Sequence, residues 1–162
     1  MIESITNYLA QIDKTLAVFI VSMLPIVELR GAIPIGVGFG LDLLRVFVVS
    51  VVGNMIPVPF VILFIRPIIE FLSRTKYFSK FANWFETHTM SKSDKITKYK
   101  MFGLFVFVAI PLPGTGAWTG AALAGLMDMR LKDSVPMIFL GVVTAGIIMM
   151  IFSHGLFNVL FA

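Results

Sequence analysis

Glu28 and Arg30 are the residues of this sequence best suited to chemistry, because both lie inside an apolar segment, in the string PIVELRGAIPIG. A charged side chain at the middle of a bilayer is costly to insert, and such residues usually mark a path for an ion or a substrate. We expect Glu28 to carry a proton and Arg30 to contact an anion. The alternative is a structural pair in which the two charges neutralise each other.

A second string, PLPGTGAWTGAALAG, shows the same interruption of an apolar segment by proline and glycine but carries no charge. Thr115 and Thr119 supply hydroxyls, and Trp118 supplies an indole N–H, beside backbone amides that the break removes from the helix. Half-helix amino termini bind anionic groups, and we expect two of them to meet near the membrane midplane. The alternative is that the small residues only allow close packing.

Asn54 lies next to Gly53 in a long apolar run and needs a partner in lipid, so it either lines a cavity or bonds to a neighbouring helix. The predicted substrate- or ion-binding residues are Glu28, Arg30, Gly31, Pro34, Asn54, Pro113, Gly114, Thr115, Gly116, Trp118 and Thr119.

The sequence predicts no enzyme, no metal site and no cofactor. Cysteine is absent, His154 stands alone in the last apolar run, and no nucleophile with a neighbouring base can be assembled. The net charge of +4 is not accompanied by any nucleic-acid-binding motif. Catalysis and nucleic-acid binding are therefore not expected.

The composition places these residues in a membrane. Apolar residues make up 58% of the chain, charged residues only 14%, and the mean hydropathy is +0.95, whereas soluble domains are nearer half apolar and a quarter charged. The runs from Val46 to Ile65 and from Val135 onward can each cross a hydrocarbon core about 30 Å thick. We expect an all-α, multi-pass integral membrane protein.

The broken segments at residues 15–41 and 101–127 indicate an internal repeat with an offset of 86 residues (101 against 15). At that offset Pro25 matches Pro111 and Asp42 matches Asp128. Each broken segment is either a re-entrant hairpin, which makes the repeats inverted, or a kinked full span, which makes them parallel; we favour the inverted hairpins. The predicted organisation is a first repeat at 1–70 (hairpin 15–41, span 44–70), a basic segment at 71–100, and a second repeat at 101–162 (hairpin 101–127, span 134–161).

The basic segment at 71–100 is expected to be cytoplasmic, because loops rich in lysine and arginine stay on that side. Aromatic residues recur in it at helical spacing, which predicts a short helix on the inner leaflet. These residues are Phe78, Phe81, Trp84 and Phe85.

The strings ELRGAIPIG and PLPGTGAWTGA, with the basic loop between them, resemble those of the family named small multidrug export proteins. The layout of two hairpins with long spans is also similar to that of the DedA superfamily, which implies transport of lipid-linked phosphates such as undecaprenyl phosphate. The arginine of the DedA-type second hairpin is missing around Gly114 and Gly116.

The resulting hypothesis is a proton- or ion-coupled transporter that moves an amphiphilic anionic substrate, such as a polyprenyl phosphate, across a prokaryotic cytoplasmic membrane. Export of cationic amphiphiles, with Glu28 as counter-ion, and a non-transporting membrane scaffold are the two alternatives. The expected partners are membrane lipids, the substrate and a second copy of the chain in a homodimer.

Overall fold

The computed structural model describes residues 2–91, 100–112 and 114–161, with the side chains of 13–91, 101–112, 114–153 and 155. Every regular element in these ranges is a helix, which confirms the all-α prediction. The helices are α1 (Ile2–Met23), α2 (Glu28–Gly38), α3 (Leu43–Met55), α4 (Pro57–Ser73), α5 (Ser79–Met90), α6 (Lys100–Ala109), α7 (Ala117–Leu126) and α8 (Leu131–Phe161).

Among the described residues, two helical stretches are long and apolar enough to cross a membrane, Leu43–Ser73 and Leu131–Ser153 within α8. The first consists of α3 and α4, which meet at Ile56. Pro57 has no N–H to donate, but the Ile56 amide still donates to the Val52 carbonyl at 3.2 Å, so α3 keeps its hydrogen bonds up to the proline. The membrane spans predicted at 44–70 and 134–161 fall on these helices, and their limits in the membrane stay a prediction.

The first broken segment differs from its predicted limits in two ways. Its first arm, α1, begins at Ile2 and not at residue 15, because the polar residues before Thr15 end an apolar run without ending a helix. The break occupies only residues 24–27. Pro34, one of the predicted binding residues, lies beyond the break, inside α2.

The chain divides into two compact units. Unit 1 comprises Met1–Ile56 and Val142–Ala162, and unit 2 comprises Pro57–Gly141. Unit 1 therefore contains α1, α2, α3 and the last part of α8, whereas unit 2 contains α4 to α7 and the first part of α8. Each unit combines one helical hairpin with portions of both long spans.

In unit 1, the turn from α2 to α3 has a helix-ending pattern that depends on a left-handed residue. Gly40 has φ 71°, its N–H donates to the Val37 carbonyl at 2.9 Å, and the Leu41 N–H donates to the Gly36 carbonyl at 3.2 Å. The Asp42 carboxylate then accepts a hydrogen bond from the Arg45 N–H at 3.1 Å and starts α3.

In unit 2, the turn from α7 to α8 repeats these bonds. Asp128 has φ 53°, its N–H donates to the Gly125 carbonyl at 3.3 Å, and the Met129 N–H donates to the Ala124 carbonyl at 2.9 Å. Asp128 thus matches Gly40, an offset of 88 residues (128 against 40).

The predicted offset of 86 residues therefore holds only before the breaks. There, α1 ends at Met23 and α6 ends at Ala109, so Pro25 and Pro111 do match. Beyond the breaks, the pairing of Asp42 with Asp128 is wrong. The reason is that the second half has two more residues between the end of its first arm and its turn (109 to 128 against 23 to 40), an insertion that an ungapped comparison cannot detect.

Both hairpins also share a close helix crossing that requires glycine. A Cβ at Gly53 would lie 2.7 Å from the Phe19 carbonyl oxygen, and a Cβ at Gly141 would lie 3.0 Å from the Phe105 carbonyl oxygen. Phe19 and Phe105 are 86 residues apart, and Gly53 and Gly141 are 88 apart. The same crossing therefore brings the long span against the first arm in each hairpin.

The aromatic spacing in the basic segment correctly predicts a helix, α5. Its buried side includes Ala82 and Thr89, while Phe81 and Trp84 are exposed, and the Trp84 ring stacks on His88 with centroids 5.3 Å apart. Exposed aromatic rings on one face are typical of helices at a membrane surface. The lysine side chains at positions 92, 95, 98 and 100 lie outside the described ones.

Candidate functional site

Glu28 is the first residue of α2 and is only 5% exposed. It is the one charged residue in the buried class among the side chains that the structure describes. Its backbone φ is 52°, a left-handed conformation that costs a non-glycine residue about 1–2 kcal/mol. A residue kept in this conformation, with a carboxylate removed from solvent, is typical of functional sites.

Arg30 follows within the first turn of α2 and is half-buried. Its guanidinium and the Glu28 carboxylate attract each other electrostatically. The Gly31 N–H donates to the Val27 carbonyl at 3.0 Å, and a Cβ at Gly31 would overlap the Val27 side chain. Pro34 is exposed and has no N–H to give to the Arg30 carbonyl one turn earlier.

Contacts at Gly36 show which residues of α1, α2 and α3 lie side by side along the helix axes in unit 1. A Cβ at Gly36 would lie 2.7 Å from the Val46 side chain on α3 and 3.1 Å from Val18 on α1. Glu28 lies eight residues before Gly36 (36 to 28), and Asn54 lies eight residues after Val46 (46 to 54). Because the short turn makes α2 and α3 run in opposite directions and eight helical residues rise about 12 Å, Glu28 and Asn54 lie at about the same height.

Ser22 belongs to the same end of unit 1. Its side chain is buried and its hydroxyl donates to the Phe19 carbonyl at 2.7 Å. A Cβ at Gly53, the neighbour of Asn54, would overlap the Ser22 Oγ. The end of α1, the start of α2 and the end of α3 therefore bring Ser22, Glu28 and Asn54 to one level.

Asn54 and Ser50 lie one helical turn apart on α3, and both are fully buried. Neither the amide of Asn54 nor the hydroxyl of Ser50 has a hydrogen-bond partner in the described part of the chain. The sequence analysis predicted Asn54 and missed Ser50 and Ser22. The spacing of Ser50 and Asn54 within an apolar span was the available signal.

The second break is built differently. Gly114 and Gly116 have φ of 75° and 128°, which only glycine adopts at low cost. The Thr115 hydroxyl lies 2.8 Å from the carbonyl oxygens of both Ile110 and Leu112. The Thr115 hydroxyl therefore donates to carbonyl groups at the break. The sequence had indicated that this hydroxyl faces a substrate.

The other predicted residues of this break lie at the start of α7 or just before it. Trp118 and Thr119 are half-buried on α7. Gly116 precedes α7 without any side-chain cap hydrogen bond. Pro113 lies outside the described residues.

At matched positions the two hairpins differ in chemistry. The first hairpin and its span carry buried polar residues, and the second carries residues without a charge or a hydroxyl. The matched pairs are Ser22 with Val108, Glu28 with Gly116, Ser50 with Ile138, and Asn54 with Val142. The polar groups of the candidate site are thus concentrated in unit 1, an asymmetry that the sequence-level repeat did not reveal.

Sequence analysis also missed an ion pair in unit 2. The Arg66 guanidinium on α4 pairs with the Asp128 carboxylate, and it lies 3.6 Å from Glu70 one turn along the helix. Within the described residues, no group of three His, Cys, Asp or Glu side chains is arranged to hold a metal ion. The His154 side chain lies outside the described ones.

No curated protein and no solved structure matches this chain, so the likeness to the DedA superfamily stays a prediction. A protein-family model does match. It spans residues 28–148, well over half of the chain, beginning at Glu28 and including Arg30, Asn54 and the second break. The broken, apolar helices and the matched region lead to one conclusion: the chain is a membrane protein that belongs to the family described as "Putative small multi-drug export protein".

Proposed function

We propose that this protein is a transporter that moves an amphiphilic molecule across the cytoplasmic membrane and couples this movement to a proton or ion at Glu28. The observation that carries the proposal is the buried Glu28 carboxylate beside the half-buried Arg30 guanidinium at the start of a broken helix. Membrane proteins retain such costly charges chiefly where they serve an ion or substrate path.

Competition for Arg30 supplies a coupling mechanism. Without substrate, the Arg30 guanidinium attracts the Glu28 carboxylate. An anionic head group that binds Arg30 takes this positive charge away from Glu28. The buried carboxylate then gains from accepting a proton, because an unpaired charge away from water is costly. Substrate binding and proton uptake are linked in this way.

The proposed substrate is an amphiphile with an anionic head, such as a polyprenyl phosphate. Arg30 is the more accessible of the two charges, and a guanidinium matches the geometry of phosphate. The apolar surroundings of α2 suit a lipid-like tail.

Export of a cationic amphiphile is the second candidate. It is favoured by the family description and by the buried carboxylate, which would act as counter-ion to the substrate. In this case substrate and proton compete directly for Glu28, and Arg30 weakens the binding of cations.

The proposed topology has inverted repeats, re-entrant hairpins and a cytoplasmic segment at 71–100. The lysine and arginine residues of the segment at 71–100 support placing it on the cytoplasmic side. We further propose a homodimer, because a single chain of this length encloses little space.

Transport assays in proteoliposomes test the proposal. The assay follows proton movement with a pH-sensitive dye after addition of a polyprenyl phosphate or of ethidium as cationic amphiphile. Glu28→Gln is expected to abolish proton movement, while Arg30→Ala weakens transport of the phosphate more than that of ethidium. Glu86→Gln, at an exposed carboxylate on α5, is the matched control and should behave as wild type. Normal transport with unchanged pH dependence in Glu28→Gln would remove Glu28 as the coupling group, whereas the absence of transport in the wild-type protein would favour the scaffold alternative.

A structural pair would give a different pattern. Each single replacement would then leave a buried unpaired charge, with a penalty of about 3–5 kcal/mol, and replacement of both would recover stability. Thermal unfolding of Glu28→Gln, Arg30→Ala and the double variant in detergent distinguishes the two roles.

A further inference from the structure

We infer that Ser50 and Asn54 bind an internal water molecule on α3, at the height of Glu28, and that the matching position in the second hairpin is dry. The inference rests on the proposed function only where it connects this water with proton movement at Glu28. The water site itself follows from the packing of unit 1.

Three buried polar atoms require a partner here. The Ser50 Oγ, the Asn54 Oδ1 and the Asn54 Nδ2 make no hydrogen bond within the described part of the chain, and both residues are 0% exposed. Buried polar side-chain atoms in native proteins nearly always have a partner, from the protein or from ordered water. The atoms of Ser50 and Asn54 therefore indicate an occupant.

The spacing of the two residues lets one small molecule contact both of them. Ser50 and Asn54 are four residues apart on a helix, so their Cβ atoms are separated by about 5–6 Å. The two side chains do not bond to each other. A water molecule between them can complete both sets of hydrogen bonds, which matches the usual three or so bonds of a buried water.

The chemistry favours water over an ion. Asn54 has an unpartnered donor, Nδ2, as well as an unpartnered acceptor, Oδ1. A metal cation would leave the donor unsatisfied, and an anion would leave the acceptor unsatisfied. A molecule that both donates and accepts satisfies the two together.

The second hairpin shows that packing alone does not require these polar residues. Ile138 and Val142 occupy the positions that match Ser50 and Asn54, and both are fully buried. The same helix crossing, with Gly141 in place of Gly53, thus forms around apolar side chains. The helix crossing in unit 1 therefore does not need the polar side chains of Ser50 and Asn54, which lie at about the height of the Glu28 carboxylate.

Solid-state NMR on proteoliposomes tests the water site directly. In a sample with asparagine labelled at its side-chain nitrogen, magnetisation is transferred from water, and the Asn54 signal is identified by its loss in Asn54→Val. The expected result is transfer to Asn54 comparable to that of exposed Asn83. The absence of transfer to Asn54 would overturn the proposal.

Thermal unfolding in detergent, without any substrate, gives a second measurement. Ser50→Ala is expected to lower Tm by roughly 2–4 °C, because it removes a bond to the water. Ser134→Ala is the matched control, since the Ser134 hydroxyl is equally buried and donates to the Arg130 carbonyl at 2.9 Å. Ser50→Ala and Asn54→Val together should lower Tm by less than the sum of their separate effects, because they share one occupant.

An unchanged or higher Tm in Ser50→Ala contradicts the proposal, because removing a hydroxyl that bonds to no water does not lower the stability of the protein. If Tm is unchanged but Ser50→Ala and Asn54→Val abolish transport, the polar partner is a group of the transported amphiphile and the water site is again wrong. Both outcomes are independent of the transport defect of Glu28→Gln, so failure of the water site is distinguishable from failure of the proposed function.

Discussion

The guanidinium of Arg66, on α4, pairs with the carboxylate of Asp128, in the turn between α7 and α8. Asp128 has a left-handed backbone there, and both side chains are substantially exposed, at 48% and 67%. The pair connects the end of the second hairpin with the later part of the first long span.

The topology prediction is that Asp42 and Asp128 face opposite sides of the membrane. This outcome follows if the two hairpins are re-entrant and inverted, as proposed. The chain has no cysteine, so Asp42→Cys and Asp128→Cys can be labelled with a membrane-impermeant thiol reagent without background. Asp128→Cys should react from the same side as Ser91→Cys, which reports on the segment proposed to be cytoplasmic. Labelling of positions 42 and 128 from one side would exclude the inverted arrangement.

Removal of the Arg66–Asp128 pair should have a small, salt-dependent effect. Asp128→Asn keeps a residue that tolerates the left-handed backbone and removes only the charge. Because the pair is exposed, we expect Tm to fall by no more than a few degrees at low salt, and by less at high salt. Glu70→Gln, which removes the looser contact of Arg66 at 3.6 Å, is the control and should change Tm less. An equal fall at both salt concentrations would show that the charge is not responsible.

Glu28→Gly should stabilise the protein while it abolishes proton-coupled transport. Glycine relieves the cost of φ 52°, and the matching residue of the second break, Gly116, already is glycine with positive φ. We expect a gain of about 1 kcal/mol in the free energy of unfolding, measured by thermal unfolding beside a proteoliposome assay. Loss of stability would show that the Glu28 side chain is needed for the fold.

Gly53→Ala should destabilise unit 1 because its Cβ would meet backbone. The Phe19 carbonyl oxygen would be 2.7 Å away, and backbone cannot move aside as a side chain can. Overpacking of this kind costs about 1–3 kcal/mol. Gly38→Ala is the matched control, since a Cβ there has no neighbour within 4 Å. That substitution should leave stability unchanged or raise it slightly, because alanine favours helix. Similar Tm values for the two variants would contradict the close crossing.

The amino-acid sequence by itself determined the helical, membrane-embedded character of the chain and the location of its breaks. Apolar runs long enough to cross a bilayer must form helices, because lipid does not satisfy free backbone groups. Pro25 and Pro111 mark the places where these helices are interrupted. The choice of Glu28 as a candidate residue also needed only the sequence, because a carboxylate within an apolar segment is conspicuous without any structure.

Only the tertiary structure decided which polar groups share a site. Whether the Thr115 hydroxyl faces a ligand or the Ile110 carbonyl depends on how the break folds, and the pairing of Arg66 with Asp128 joins residues far apart in the sequence. The two-residue shift between the halves likewise became visible only through the hydrogen bonds of the turns. The physical reason is common to all three: hydrogen bonds and ion pairs depend on positions within a few ångströms, whereas hydropathy depends on residue type alone.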